Sequence, residues 1–260
     1  MRSNRREFMK VAGTVAAGTA VATTSATAQG AAQFTNIKAL AFDFYGTVLD
    51  VFSATAPACE QLFPGKGNQL AQIWRTKQLI YILMRNSMGR HREFSRVTED
   101  ALVCAANTLQ LQLTEQKRKQ LVEVFFLGQS TYPDVKSGLE ALKKQGTKLI
   151  VLANGEQKTM EEGAKRVNVF DLFDRFISVE EVKVYKVNPR VYNHGADQLN
   201  ITNAELGFVA AHSWDIMGAA SAGLPTFWIQ RTPTEVQEEL GFKATATVKG
   251  MPDIAPLLRG

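Results

Sequence analysis

Short apolar runs separated by amphipathic stretches dominate the pattern of this chain. Ile37 to Phe42 is nearly continuous in apolar residues, interrupted only by Lys38. Similar runs recur at Lys148 to Leu152, Gly207 to Ala211, Thr226 to Ile229 and, more briefly, Ala244 to Val248. A parallel strand covered on both faces reads this way, because neither side alternates with solvent. Between the runs, apolar residues fall at helical spacing over Val135 to Gln145, Gln157 to Val167 and Pro189 to Leu199. The alternation predicts an α/β fold with a parallel sheet.

Residues 51–130 break this rhythm. Asn68 to Met88 carries Leu70, Ile73, Trp74, Ile80 and Met84 in a long helical pattern, and Thr98 to Leu109 and Glu115 to Leu127 continue it. No strand is legible there. The expected organisation is a core of residues 33–50 and 131–260, with residues 51–130 inserted as a helical cap.

Charge changes the picture only after the N-terminus is set apart. The 260 residues carry 30 Lys+Arg against 25 Asp+Glu, a net charge of +5. Arg2, Arg5, Arg6 and Lys10 precede an apolar stretch, Val11 to Ala22, and then the small residues Ala26-Thr27-Ala28. A charged head, a short apolar run and an A-x-A site predict an export signal cleaved after Ala28. Asn4 to Lys10 resembles the twin-arginine signal of bacteria, which implies the export machinery as a partner and a periplasmic or secreted destination. Without residues 1–28 the chain has 26 basic and 24 acidic residues, a net of +2. Nucleic-acid binding therefore loses its compositional support. Cys59 and Cys104 lack metal-ligand spacing, and their apolar helical contexts favour unpaired thiols over a disulfide.

The richest local motif is Asp43-Phe44-Tyr45-Gly46-Thr47, directly after the first strand. Sites in parallel sheets form beyond the carboxyl ends of strands. Gly46 allows a tight turn, and the Thr47 hydroxyl can donate to a carboxylate. Other strands end in Ala153-Asn154-Gly155 and in Ala210-Ala211-His212-Ser213-Trp214-Asp215, with Tyr185-Lys186 and Tyr192 between them.

This order resembles the haloacid dehalogenase superfamily, specifically its type II (S)-2-haloacid dehalogenase branch. Trp74 to Leu79 with Ser87-Met88 resembles that branch's cap helix, and Trp228 to Arg231 the segment after its last core strand. The resemblance implies a Rossmann-like core and hydrolysis of short (S)-2-haloalkanoic acids to (R)-2-hydroxy acids, without cofactor or metal. In that scheme Asp43 displaces halide and forms an ester, and water activated by Asp215 cleaves it. Lys186 neutralises the meeting of two anions, Arg75 holds the departing halide, and Thr47 and Asn154 contribute hydrogen bonds. Phe44, Tyr45, Leu79, Tyr192, His212 and Trp214 are expected to contact substrate. A homodimer is a further implication.

Tyr45 stands where phosphatases of the superfamily place a second aspartate as general acid. Tyrosine, with a pKa of about 10, substitutes poorly, whereas halide leaves without a proton. A magnesium-dependent phosphatase is thus the weaker alternative. Ala153 replaces a usual Ser or Thr, Ala210 and His212 replace Ser and Asn, and Val187 replaces a Pro. The lost hydroxyl motivates a third reading, a catalytically weak periplasmic binding protein. His212 is a candidate to bind the hydrolytic water, while His91 and His194 read as surface residues.

Overall fold

The computed structural model describes residues 34–258, so the export signal expected at 1–28 lies outside the described residues. The chain enters at β1 (Ala39–Phe42), whose four residues are all buried. A two-residue strand, β2 (Leu49–Asp50), leads into four consecutive helices: α1 (Val51–Leu62), α2 (Gly67–Met88), α3 (Phe94–Thr108) and α4 (Glu115–Leu127). The chain returns through β3 (Ser130–Thr131), which pairs antiparallel with β2 and ties the start of the helical block to its end. There follow α5 (Val135–Lys144), β4 (Lys148–Ala153), α6 (Gln157–Arg166), β5 (Arg175–Ser178) and α7 (Pro189–Asp197). The last elements are β6 (Leu206–Ala210), α8 (Ser213–Ser221), β7 (Thr226–Ile229) and β8 (Ala246–Val248).

Six strands form one parallel sheet in the order β5-β4-β1-β6-β7-β8. Phe42 pairs with Val151 of β4 on one side and with Val209 of β6 on the other. The chain winds outward from β1 in both directions, so the end of β1 lies at the switch point where such sheets open a crevice.

Most of the elements follow the periodicity of the sequence; the two-residue strands β2 and β3 and three longer elements do not. The edge strand β5 offers only Phe176 and Ile177 as consecutive apolar residues, too short a run to stand out. Helix α1 contains Pro57, which obscures a helical pattern. Helix α8 is rich in Gly, Ala and Ser and is nearly all buried, so it lacks an amphipathic signature.

The cap helices carry their own polar pins. Trp74 Nε1 donates to Thr98 O at 2.8 Å, and the buried Gln78 donates to Thr98 Oγ1 at 2.5 Å. These bonds fix the face of α2 that turns toward the sheet. The Asn86 side chain grips Tyr185, accepting from its N–H at 2.8 Å and donating to its carbonyl at 2.7 Å. His91 and His194, expected at the surface, are both partly buried instead. Their Nε2 atoms lie 3.0 Å from Glu180 and 2.9 Å from Glu181. Cys59 and Cys104 are free; Cys59 is buried, and burial pushes its thiol up to about 12, while Cys104 is only partly covered. No helix among the described residues is long and apolar enough to cross a membrane.

Candidate active site

Asp43 directly follows β1, and its N–H still donates to Val209 O at 2.9 Å, continuing the ladder toward β6. Gly46 then turns the chain with φ +97°, a left-handed conformation that favours glycine. That turn brings Thr47 back beneath the carboxylate: its hydroxyl donates to Asp43 Oδ2 at 2.9 Å and accepts from Ala211 N at 2.9 Å. Arg231 holds the turn from outside, donating to Thr47 O and to Asp134 Oδ1, each at 2.9 Å.

Lys186 reaches the same point from the loop after β5. Its Nζ is 3.0 Å from Asp43 Oδ1 and 2.7 Å from Asp215 Oδ2, and its side chain is wholly buried. Its backbone N–H donates to Asn154 Oδ1 at 3.1 Å, so the residue after β4 sets the lysine's path. Asp215, in the first turn of α8, is also fully buried, and Tyr192 donates to its Oδ1 at 2.6 Å. A line of charge and hydrogen bonds thus runs Asp43–Lys186–Asp215–Tyr192 through the apolar base of the site.

Burial alone would neutralise these groups, and their mutual contacts decide otherwise. Burial pushes the Asp43 carboxyl up, but the Lys186 ammonium and the neighbouring His212 outweigh it and hold the group below the usual carboxylate range. Burial would also discharge Lys186; the charges of Asp215 and Asp43 reverse this and raise it above an ordinary lysine. Asp215 shifts upward, driven by burial and then by the charge of Asp43, against the pull of Lys186 and Tyr192. Asp43 is therefore ionised at neutral pH and neutralised by the Lys186 ammonium.

Above Asp43 lies a small cavity. Its walls are Tyr45, Leu79, Ile82, Phe94 and Trp214, with Arg75 and Asn154 as the polar members beside Asp43. Arg75 comes from the cap and is held by Gln78 Oε1 at 2.5 Å and His212 Nε2 at 3.2 Å. Ile82 and Phe94 are additions to the wall read from sequence. Ile82 was detectable in principle, one helical turn beyond Leu79 on α2. Phe94 begins a helix whose start is not marked in the sequence.

Three expected substrate contacts fall elsewhere. Phe44 is fully buried against Phe176 and close to Gly163, because successive side chains of extended backbone point to opposite sides and only Asp43 and Tyr45 face the cavity. Tyr192 stands behind Asp215, and His212 lines an adjoining cleft. Asp215, expected to activate the hydrolytic water, is fully buried with its two oxygens engaged by Lys186 and Tyr192.

Magnesium does not fit this donor set. The Lys186 ammonium lies between the two carboxylates that would have to hold the ion, and the position two beyond Asp43 carries a tyrosine whose burial raises its hydroxyl well above the ordinary range.

A parallel α/β sheet with an ionised, buried aspartate at its switch point, beneath a helical cap, defines a hydrolase equipped for covalent catalysis. The haloacid dehalogenase-like hydrolase family model matches residues 37–223, and the chain belongs to that family. It is 38% identical over 205 residues to the (S)-2-haloacid dehalogenase of Pseudomonas sp. (strain YL), covering 79% of this chain and 87% of the relative. It is 35% identical to the haloacetate dehalogenase H-2 of Moraxella sp. (strain B), over 85% of this chain and 98% of the relative. Among solved structures, the L-2-haloacid dehalogenase of Xanthobacter autotrophicus superposes with a TM-score of 0.81 at 30% identity, covering 86% of this chain and 99% of that one. A second structure of that enzyme, with chloropropionic acid covalently bound, matches equally well.

Proposed function

We propose that the protein hydrolyses short (S)-2-haloalkanoic acids to (R)-2-hydroxy acids and halide through an ester on Asp43. The observation that carries this reading is the Asp43 carboxylate, kept ionised by Lys186 and exposed to a small, mostly apolar cavity with Arg75 on its rim. An ionised carboxylate in apolar surroundings is a strong nucleophile toward carbon, because little water must be stripped from it. Asp43 attacks the α-carbon, the C–halogen bond breaks, and the halide leaves with the bonding pair toward Arg75. Lys186 offsets the repulsion between Asp43 and the substrate carboxylate. Water then adds to the Asp43 carbonyl carbon, and cleavage at this carbon restores the carboxylate. The haloacid specificities of the relatives and the covalent chloropropionic acid adduct of the structural neighbour support the same assignment.

The test is incubation with racemic 2-chloropropionate and with chloroacetate. Chloride release, consumption of one enantiomer and heavy oxygen from solvent entering the Asp43 carboxylate are the expected results. Absence of halide release from every chloro- and bromo-acid would overturn the reading.

Two further proposals accompany it. Export by the twin-arginine route rests on Asn4 to Lys10 and Ala26 to Ala28, and fractionation of expressing cells tests it. Homodimer formation is supported by the exposed apolar Ile80, Leu83, Met84 and Met88 of α2. Sedimentation of the mature chain tests it.

A further inference from the structure

His212 lies over the turn that follows the nucleophile, and the glycine there leaves it room. A Cβ at Gly46 would sit 2.3 Å from His212 Cε1 and 2.7 Å from Nε2. Arg75 Nη2 is 3.2 Å from Nε2. A guanidinium can only donate, so Nε2 is the accepting nitrogen and the ring proton is on Nδ1. Nδ1 is buried, has no hydrogen-bond partner, and lies 3.5 Å from Asp43 Oδ2. That separation is too long for a good hydrogen bond to the resting carboxylate.

The two oxygens of Asp43 have different surroundings. Oδ1 faces Lys186, whose backbone is held by Asn154, a wall residue of the substrate cavity. Oδ2 faces Thr47 and His212, on the side of a second cleft that Gly46, Arg75, Tyr132 and His212 help to line. With Thr47 and His212 beside Oδ2, we take Oδ1 to attack the substrate and Oδ2 to become the carbonyl oxygen of the ester.

We propose that His212 Nδ1–H and the Thr47 hydroxyl form the oxyanion site for hydrolysis of the aspartyl ester. The assignment rests on the ester route of the preceding section. Water adds to the Asp43 carbonyl carbon and forms a C–O bond, and the carbonyl π pair moves onto Oδ2. Both donors close on that oxygen as it takes up a full negative charge. Collapse restores the carbonyl and breaks the bond from the carbon to Oδ1. Oδ1 departs on the product and takes up one of the two protons of the attacking water; the other passes to solvent, which leaves Asp43 as the carboxylate. His212 adds little to the first step, in which the carboxylate loses charge. A donor aimed at charge that develops only during the second step accelerates that step selectively.

The test separates the two steps with 2-chloropropionate in rapid-quench experiments. His212→Phe keeps the ring and removes the donor. The expected result is a burst of about one chloride per site, slowed far less than turnover because Arg75 keeps its contact with Gln78, followed by turnover slowed about 10²- to 10³-fold. Intact-mass analysis should show the ester accumulating on Asp43. His212→Asn places an amide N–H near Nδ1 and has no proton-accepting ring nitrogen; it should restore turnover to within about tenfold of the parent. His212→Leu serves as a second donor-free variant if the Phe variant does not fold. An unchanged turnover, a burst slowed as much as turnover, or an Asn variant as slow as the donor-free one would each overturn the assignment. A parent that releases no halide would overturn the dehalogenase reading and this assignment with it. Turnover by the parent without the expected partition in the variants would overturn the oxyanion assignment alone.

Discussion

Replacing Lys186 with methionine removes the ammonium that lies between Asp43 and Asp215, at 3.0 Å from one and 2.7 Å from the other. Methionine is similar in length and volume, so packing changes little and the electrostatic loss dominates. Removing one partner of a buried ion pair costs about 3–5 kcal/mol. Against a total stability of about 5–15 kcal/mol for a typical domain, the variant should fold but with a visibly lower urea midpoint. The loss should depend on pH. In the parent, the Asp43 carboxyl lies below its unfolded value, so it contributes stability above that value and loses it only as pH falls through the lowered one. In the variant, two buried carboxylates face each other without a cation, and at least one rises above its unfolded value of about 4. That group binds its proton more tightly in the folded state, so its contribution is complete at low pH and is lost as pH rises through the raised value. The stability gap between parent and variant should therefore be small near about pH 4 and reach its full size by about pH 7–8. Urea titrations followed by circular dichroism across this range measure it directly. If the same energy is forfeited in the transition state, halide release falls roughly 10²- to 10⁴-fold. A variant within about 1 kcal/mol of the parent at neutral pH, with no pH trend, would refute the claim that Lys186 is held by both carboxylates.

Other expectations follow from single contacts. Thr47→Val removes the donor to Asp43 Oδ2 and leaves Ala211 N–H without its acceptor, so it should cost about 1–3 kcal/mol in urea unfolding, whereas Thr47→Ser should recover most of the loss. Gly46→Ala places a methyl against the His212 ring in a backbone conformation unsuited to alanine; a loss of about 1–2 kcal/mol and a fall in turnover are expected, measured by thermal unfolding and halide assay. Cys59, its thiol pushed up to about 12, should not react with a thiol-specific disulfide reagent at pH 8 until the protein is denatured, while the partly covered Cys104 reacts in the folded state.

Asp43 was legible because two independent signals coincide on it: a continuous apolar run that can only be a buried strand, and a turn motif placed where parallel sheets put their sites. Lys186, Asn154 and Asp215 stand at the ends of later segments, and their order along the chain was enough to nominate them. Tyr192 and Phe44 show the limit of that reasoning. Phe44 adjoins Asp43 in sequence, yet it packs into the core because successive residues of extended backbone point in opposite directions; Tyr192, six residues after Lys186, braces Asp215 from behind.

Periodicity and residue type thus determined the α/β class, the position of the first strand and the helical character of residues 51–130, while the resemblance to the dehalogenase family nominated Asp43 as the nucleophile. Those properties depend on local burial and on turn chemistry, which a short window of sequence contains. Only the tertiary structure decided which charges meet. Lys186 and Asp43 are 143 positions apart, and His212 and Arg75 are 137 apart. A lone lysine or histidine carries no mark of the partner it will find. Whether Asp215 is reached by water or sealed behind Lys186, and which face of Asp43 His212 covers, is set by strand register and by the seating of the cap. Those contacts form only once the sheet is assembled.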